Sequence, residues 1–200
     1  MTDLQPQFDA LLDELERWNQ KVNLTALSGR QAMQTGHIDD SLTALPLLHG
    51  QRVLDVGTGG GFPGLPLAIA APDREFVLID GNNKKIQFVR HAAGLLGLKN
   101  VQAVHVRAED YAPAARFDTV IARAVASLAT LLDVAGHHVG EDGVFVALKG
   151  RYPYDELNEL NTLQEQQQLP KRWRYEVREL EVAGLDKGSR HAVVLKPDDE

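Results

Sequence analysis

The chain has 200 residues, 44% of them hydrophobic and 24% charged, with a formal net charge of −7 and no cysteine. This composition suits one globular unit with a sizeable core and excludes wholesale disorder. The missing cysteines exclude disulfides, cysteine-ligated zinc and a thiol nucleophile. An acidic balance argues against a surface that grips nucleic acid broadly. The acid excess sits at the ends, however: residues 1–50 carry three basic and seven acidic groups, residues 51–150 ten of each, and residues 151–200 eight and eleven.

The N-terminus is acidic and amphipathic, unlike a signal peptide, and no apolar run has the length of a membrane span. A soluble cytoplasmic protein with no membrane partner is expected. Residues 7–20 read as a helix, with Phe8, Leu11, Leu12, Leu15 and Trp18 at three- and four-residue spacing. Asn23-Leu24-Thr25 reads as a turn, and Ser28 as the N-cap of a short helix. A second helix is expected over 38–48, with Leu42, Leu45 and Leu48 inward and Pro46 kinking it or near its end. Residues 1–50 therefore form a helical extension, Gly50 marks the boundary, and residues 51–200 form the main domain.

Residues 53–56, Val-Leu-Asp-Val, read as a buried strand that breaks into glycines at Gly57, Gly59, Gly60, Gly61 and Gly64 before an apolar helix over 65–71. Strands follow at 75–79, 101–106, 117–122 and 143–148, separated by helices at 82–96 and 128–138. A polar helix over 154–168 and two strands, 174–182 and 191–196, complete the chain; the short loop 184–189 makes that last pair antiparallel. The expected fold is α/β and Rossmann-like: a mostly parallel sheet with helices on both faces and an antiparallel edge pair.

Gly59-Gly60-Gly61-Phe62-Pro63-Gly64 fits G-x-G-x-x-G, and Asp80 ends the next strand about twenty residues on. That combination admits a nicotinamide-dependent oxidoreductase. Asp55-Val56-Gly57-Thr58-Gly59 instead resembles the D-x-G-x-G motif of Rossmann-like methyltransferases that use S-adenosylmethionine. Such a ligand has no pyrophosphate for the loop to cradle, and Asp80 can accept hydrogen bonds from ribose hydroxyls in either case. Asp55, Pro63, Pro66 and the lack of a recognisable substrate domain disfavour the oxidoreductase. A non-catalytic nucleotide-sensing or RNA-binding module is the third reading, disfavoured by the intact loop.

The resemblance extends further. Asn23-Leu24-Thr25, residues 37–41, DVGTGGGFPGLPLAI, Lys84-Lys85 with Phe88, Arg107-Ala108-Glu109, Ala122-Arg123-Ala124, Leu148-Lys149-Gly150 and Arg190-His191 together resemble the RsmG (GidB) family. Members methylate N7 of a guanine in 16S ribosomal RNA of the small subunit. The resemblance implies S-adenosylmethionine as methyl donor and no metal. It implies cosubstrate contacts at Gly57 and Phe62, the ribose at Asp80, the adenine at Ala108 and Glu109, and the methionine end near Arg123. With the loop reading, the expected cosubstrate set is Asp55, Gly57, Gly59, Gly61, Phe62, Asp80, Ala108, Glu109 and Arg123. Family members commonly have serine after the acid, where this chain has Gly81.

Guanine N7 carries an in-plane lone pair and no proton, so no acid–base catalytic residue is expected and the work is positioning. Arg123 and Lys149, at the ends of successive strands, are expected to orient substrate or cosubstrate, with Arg190 and His191 joining them by resemblance. Further RNA-contact candidates are Lys84, Lys85, Arg90 and Arg151, whereas Lys99 and Lys171 read as solvated charges. Of the other clusters, His37, Asp39, Asp40 and Ser41 are expected to cap and pack, with Asp40 and Ser41 supporting the glycine segment. His137-His138 face apart, and Ser189-Arg190-His191 lacks the pattern of a nucleophile elbow. No interface stripe is evident, and a monomer is expected.

Overall fold

The computed structural model describes residues 3–198. Helix α1 (Gln5–Val22) leads into a composite helix made of α2 (Arg30–Met33), a π-helical turn (Gln34–Asp39) and α3 (Asp40–Leu42), followed by a 3-10 turn at Leu45–Leu47. Then come β1 (Arg52–Val56), α4 (Gly64–Ala70), β2 (Glu75–Asp80), α5 (Asn83–Leu95), β3 (Val101–His105) and β4 (Phe117–Arg123). The chain continues through α6 (Leu128–Ala135), a 3-10 turn at Gly136–His138, β5 (Val139–Lys149), α7 (Tyr154–Glu165), β6 (Arg172–Glu179) and β7 (His191–Asp198).

The strands form one seven-stranded sheet in the order β3-β2-β1-β4-β5-β7-β6. All neighbours are parallel except the pairs made by β7, which runs antiparallel to both β5 and β6. Strand order reverses between β1 and β4, and in open α/β sheets ligands bind outside the carboxyl ends of strands at such a switch point. Strand β6 is left at the edge, where Arg172, Arg174, Glu176, Arg178 and Glu179 are exposed, a charged border that discourages further strand pairing.

Alternate strand residues feed two apolar layers, as the twofold periodicity of a strand requires. Val53, Phe76, Leu78, Ile121 and Val146 point to the side covered by α1, the composite helix, α4 and α5. Leu54, Val56, Val77, Ile79, Val120 and Phe145 point to the side covered by α6 and α7. Phe8, Leu11, Leu12 and Leu15 of α1 are buried in the first layer, so the N-terminal helices share a core with the sheet.

Three local expectations change. The short helix expected after Ser28 is α2, but Gly29 and not Ser28 occupies its N-cap position, and it runs on through the π turn into α3 where a separate helix from residue 38 is expected. It ends at Leu42, and Pro46, which lacks an N–H, sits in the separate 3-10 turn. Leu48 is buried there, whereas Leu42 and Leu45 are half-buried. Strand β5 begins at Val139 because its register against β4 slips between Phe117 and Thr119, accommodating the exposed Glu141 and Asp142.

Candidate functional site

The site lies at the carboxyl ends of β1, β2, β4 and β5. Asp55, the penultimate residue of β1, points away from that opening. It is fully buried, and its Oδ2 accepts from Gly64 N–H at 2.9 Å and from the Thr58 hydroxyl at 2.6 Å. Its Oδ1 is buried without a hydrogen-bond partner among the described residues. Asp55 is expected at the cosubstrate; it instead ties the start of α4 to the glycine turn. The close approach needs glycine, because a Cβ on Gly64 would lie 2.6 Å from Asp55 Oδ2 and 2.7 Å from Leu78 Cγ.

The first of two adjoining cavities, about 470 Å³, is lined by Gly57, Asp80, Gly81, Ala108, Glu109 and Ala124 together with Val56, Ile79, Val106 and Val134. Gly57 has φ +67, and a Cβ there would meet Val125 Cγ2 at 2.7 Å, so the chain between β1 and β4 closes only around a bare Cα. Asp80 accepts Gly59 N–H at 3.0 Å on one oxygen and Asn82 N–H at 2.7 Å on the other, which fixes its carboxylate at the cavity wall. His138 is buried and donates from Nε2 to Ala108 O at 2.9 Å, anchoring the Ala108–Glu109 wall from behind. Nothing in the His137-His138 pair of the sequence marks this tether. Gly59, Gly61, Phe62 and Arg123, also expected at the cosubstrate, do not line this cavity. Gly59 spends its N–H on Asp80, a Cβ on Gly61 would run into Leu65 at 2.4 Å, and Phe62 is buried with its ring stacked on His37 at 4.4 Å.

The second cavity, about 520 Å³, brings together Arg123, Lys149, Arg190 and His191 with Asp40, His37 and Glu156. Arg123 donates to Asp40 Oδ2 at 2.8 Å and to Gly36 O at 3.0 Å, and its guanidinium lies 5.6 Å from the Phe62 ring centre. Arg190 donates to the other oxygen of Asp40 at 2.6 Å. One buried carboxylate thus holds two arginines; Asp40 serves them and not the glycine segment, and the Ser41 hydroxyl donates to His37 O. Lys149 donates to Glu156 Oε2 at 2.6 Å and Ala126 O at 2.8 Å, and His191 donates to Gly150 O at 2.9 Å. Three cations face two carboxylates, leaving a net positive cavity. The sequence pairs neither Asp40 nor Glu156 with these cations: Asp40 stands in a cluster expected to cap and pack, and Glu156 in a polar helix.

Ala124 belongs to the walls of both cavities. It is a non-glycine residue at φ +53, a backbone state costing about 1–2 kcal/mol and held here by its surroundings. Of the remaining basic candidates, Lys85 lines the smaller cavity, Arg90 Nε donates to Ala103 O at 3.0 Å, and Lys171 sits 4.4 Å over the Trp173 ring and so is more than a solvated charge.

Two buried titratable groups oppose each other. Burial, then the Arg123 charge, lowers His37 from 6.5 to about 4. Because an arginine can only donate, His37 Nδ1 accepts from Arg123 at 3.3 Å, and Nε2–H donates to the Thr25 hydroxyl at 2.7 Å. Burial raises Asp55 from 3.8 to about 6 despite its bonds to Thr58 and Gly64. As pH falls from 6.5 to 4, the unfolded chain takes up the histidine proton before the folded one, and stability is lost at His37. As pH falls from 6 to 3.8, the folded chain protonates Asp55 first, and stability is gained there. The expected result is that Asp55→Asn, which removes the gain, falls in melting temperature more steeply than the parent between pH 6 and 4; parallel melting curves over that range would refute it.

The profile of the family described as rRNA small subunit methyltransferase G, GidB, matches residues 4–181. A ribosomal RNA small subunit methyltransferase G of Idiomarina loihiensis is 48% identical over 187 residues, covering 93% of this chain and 86% of that protein. Its counterpart in Legionella pneumophila (strain Philadelphia 1) is 41% identical over 190 residues, covering 94% and 86%. Among solved structures, the ribosomal protein L11 methylase of Lactobacillus delbrueckii subsp. bulgaricus has a TM-score of 0.60 at 17% identity, over 86% of this chain and 81% of that one. M. jannaschii TYW2, solved in complex with AdoMet, has a TM-score of 0.59 at 19% identity, over 86% and 78%. At those identities the structures establish a shared Rossmann-like methyltransferase fold and nothing finer. The profile and the sequence relatives, each spanning most of the chain, establish more: this chain belongs to the GidB family of rRNA small subunit methyltransferase G proteins.

Proposed function

We propose that this chain transfers a methyl group from S-adenosylmethionine to N7 of a guanine in 16S ribosomal RNA of the small subunit. The observation that carries the reading is the shared wall at Ala124, which divides a carboxylate-marked cavity from a cationic one. The smaller cavity suits an adenosine: apolar walls from Val56, Ile79 and Val106 flank a flat ring, and the Asp80 carboxylate is available to ribose hydroxyls. Gly57, Asp80, Ala108 and Glu109 would hold S-adenosylmethionine, which supplies an electrophilic methyl when bound. The larger cavity suits a nucleotide, with Arg123, Lys149 and Arg190 to meet phosphate or guanine O6.

Guanine N7 needs no deprotonation, and the carboxylates and His37 of the larger cavity are bound to neighbours. Asp40 and Glu156 are each committed to cations, and both nitrogens of neutral His37 are engaged. Rate enhancement then comes from orientation, with Asp40 fixing Arg123 and Arg190, and Glu156 fixing Lys149. A donor on O6 orients the base and leaves N7 open.

The decisive experiment is labelled-methyl transfer to small-subunit particles from cells lacking the activity, with the modified base identified by mass spectrometry. Labelled N7-methylguanine in 16S RNA is the expected product; label elsewhere or none would sink the reading. S-adenosylmethionine at a hundredfold excess over its Kd should stabilise the fold by about 2.7 kcal/mol, and NAD should not. Lys149→Met or Arg190→Met should reduce RNA methylation while leaving that stabilisation nearly intact; unchanged methylation in both would remove these cations from the RNA contact. A monomer and a cytoplasmic location accord with this role.

A further inference from the structure

Beside the larger cavity the chain leaves two aromatic rings in the open. Tyr152 is 39% and Tyr154 69% exposed, whereas Tyr111 and Tyr175 are half-buried. The exposed pair is held in place. Pro153 between them is buried, and Tyr154 N–H donates to Tyr152 O at 3.1 Å. Their ring centres are 4.3 Å apart, and the Tyr152 ring meets His191 edge-on at 5.5 Å. His191 lines the larger cavity, so an aromatic series runs from the cavity wall outward to the surface. The groove beside the tyrosines shares Lys149, Gly150 and Glu156 with that cavity and is therefore continuous with it.

The spacing of the tyrosines leaves no room for a base between them, so Tyr154 offers its outward surface, with Tyr152 behind it. Arg151 is exposed at the start of the same loop, and Asp155 is the nearest acid beyond the rings. A base drawn into a cavity must leave its stack, and its neighbour then loses a stacking partner. An aromatic ring replaces that partner without reading sequence. We infer that Tyr154, backed by Tyr152, is a stacking platform for the unpaired RNA base next to the nucleotide held in the larger cavity. The inference rests on the proposed RNA substrate and adds a subsite outside the cavity itself.

The test compares Tyr154→Ala with Tyr154→Phe in methyl transfer to small-subunit particles. The alanine variant is expected to raise KM about tenfold with little change in kcat, and the phenylalanine variant to stay within about twofold of the parent. The melting shift given by S-adenosylmethionine should be the same in both. In Tyr154→Trp, a single-stranded oligoribonucleotide should quench the new indole emission more than a duplex of the same sequence does. An unchanged KM in Tyr154→Ala, or equal quenching by single strand and duplex, overturns the platform. Failure of the parent chain to methylate any particle would instead overturn the proposed function, and the quenching comparison would still decide whether Tyr154 stacks on bases.

Discussion

Adding one methyl group at Gly64 is expected to lower the melting temperature by about 5–10 °C and to abolish binding of S-adenosylmethionine. The new Cβ would sit 2.6 Å from Asp55 Oδ2 and 2.7 and 2.8 Å from two carbons of Leu78. Both neighbours are fully buried, so neither can swing aside. Relief requires α4 to move off the sheet, which breaks the Gly64–Asp55 bond and leaves a buried carboxylate short of a donor. Overpacking and the lost bond together come to about 2–4 kcal/mol. Gly94→Ala is the control: it lies in α5 with nothing within 4 Å of its Cβ, and should stabilise by about 0.5 kcal/mol. Calorimetry on the pair checks the contrast, and a Gly64→Ala protein that melts with the parent would show the turn to be looser than its geometry implies.

The second large effect is expected at Asp40. Asp40→Ala leaves Arg123 and Arg190 side by side without their shared counter-charge. Breaking a buried pair costs about 3–5 kcal/mol. The arginine side chains are 17% and 33% exposed on the cavity, so water recovers part of that, and about 2 kcal/mol is expected. The larger consequence is loss of aim. Arg123 and Arg190 would separate, and misplacement by about 1 Å is enough to cost about a hundredfold in rate. Asp40→Asn keeps one oxygen acceptor and should fall between. Asp40 does not line the Asp80 cavity, so S-adenosylmethionine should still shift the melting curve of both variants. Wild-type turnover in Asp40→Ala would show that the two arginines need no common anchor.

Much of the fold was legible because its signals are local. The glycine turn, the strand before it and Asp80 at the end of the next strand lie within about thirty residues, and each strand shows a short apolar run. The direction of Asp55 was not legible. β1 is buried on both faces, so its run of apolar neighbours carries no alternation from which to read a side. Arg123, Lys149, Arg190 and His191 were found individually, but their common partner was not, since Asp40 is 83 residues from Arg123 and 150 from Arg190. Only the strand order that places β4, β5 and β7 side by side reveals that meeting. Tyr154 reads in the sequence only as the start of a polar helix and Tyr152 falls in no predicted element, since exposure of an aromatic ring leaves no mark in sequence periodicity.

The π-helical turn at Gln34–Asp39 makes the site depend on a count as well as on chemistry. Such a turn is an α-helix carrying one surplus residue. The surplus directs Gly36 O at Arg123 and brings His37 and Asp40 to the same side, one against each end of the Phe62–Arg123 contact. Removing one residue from this stretch would let the coil rewind into regular α geometry, with better local hydrogen bonding. It would also change the azimuth of the residues beyond by about 100°. Asp40 would then face elsewhere although no side chain had been altered. Chain length in these few residues, independent of composition, is therefore a gauge for the alignment of the two arginines.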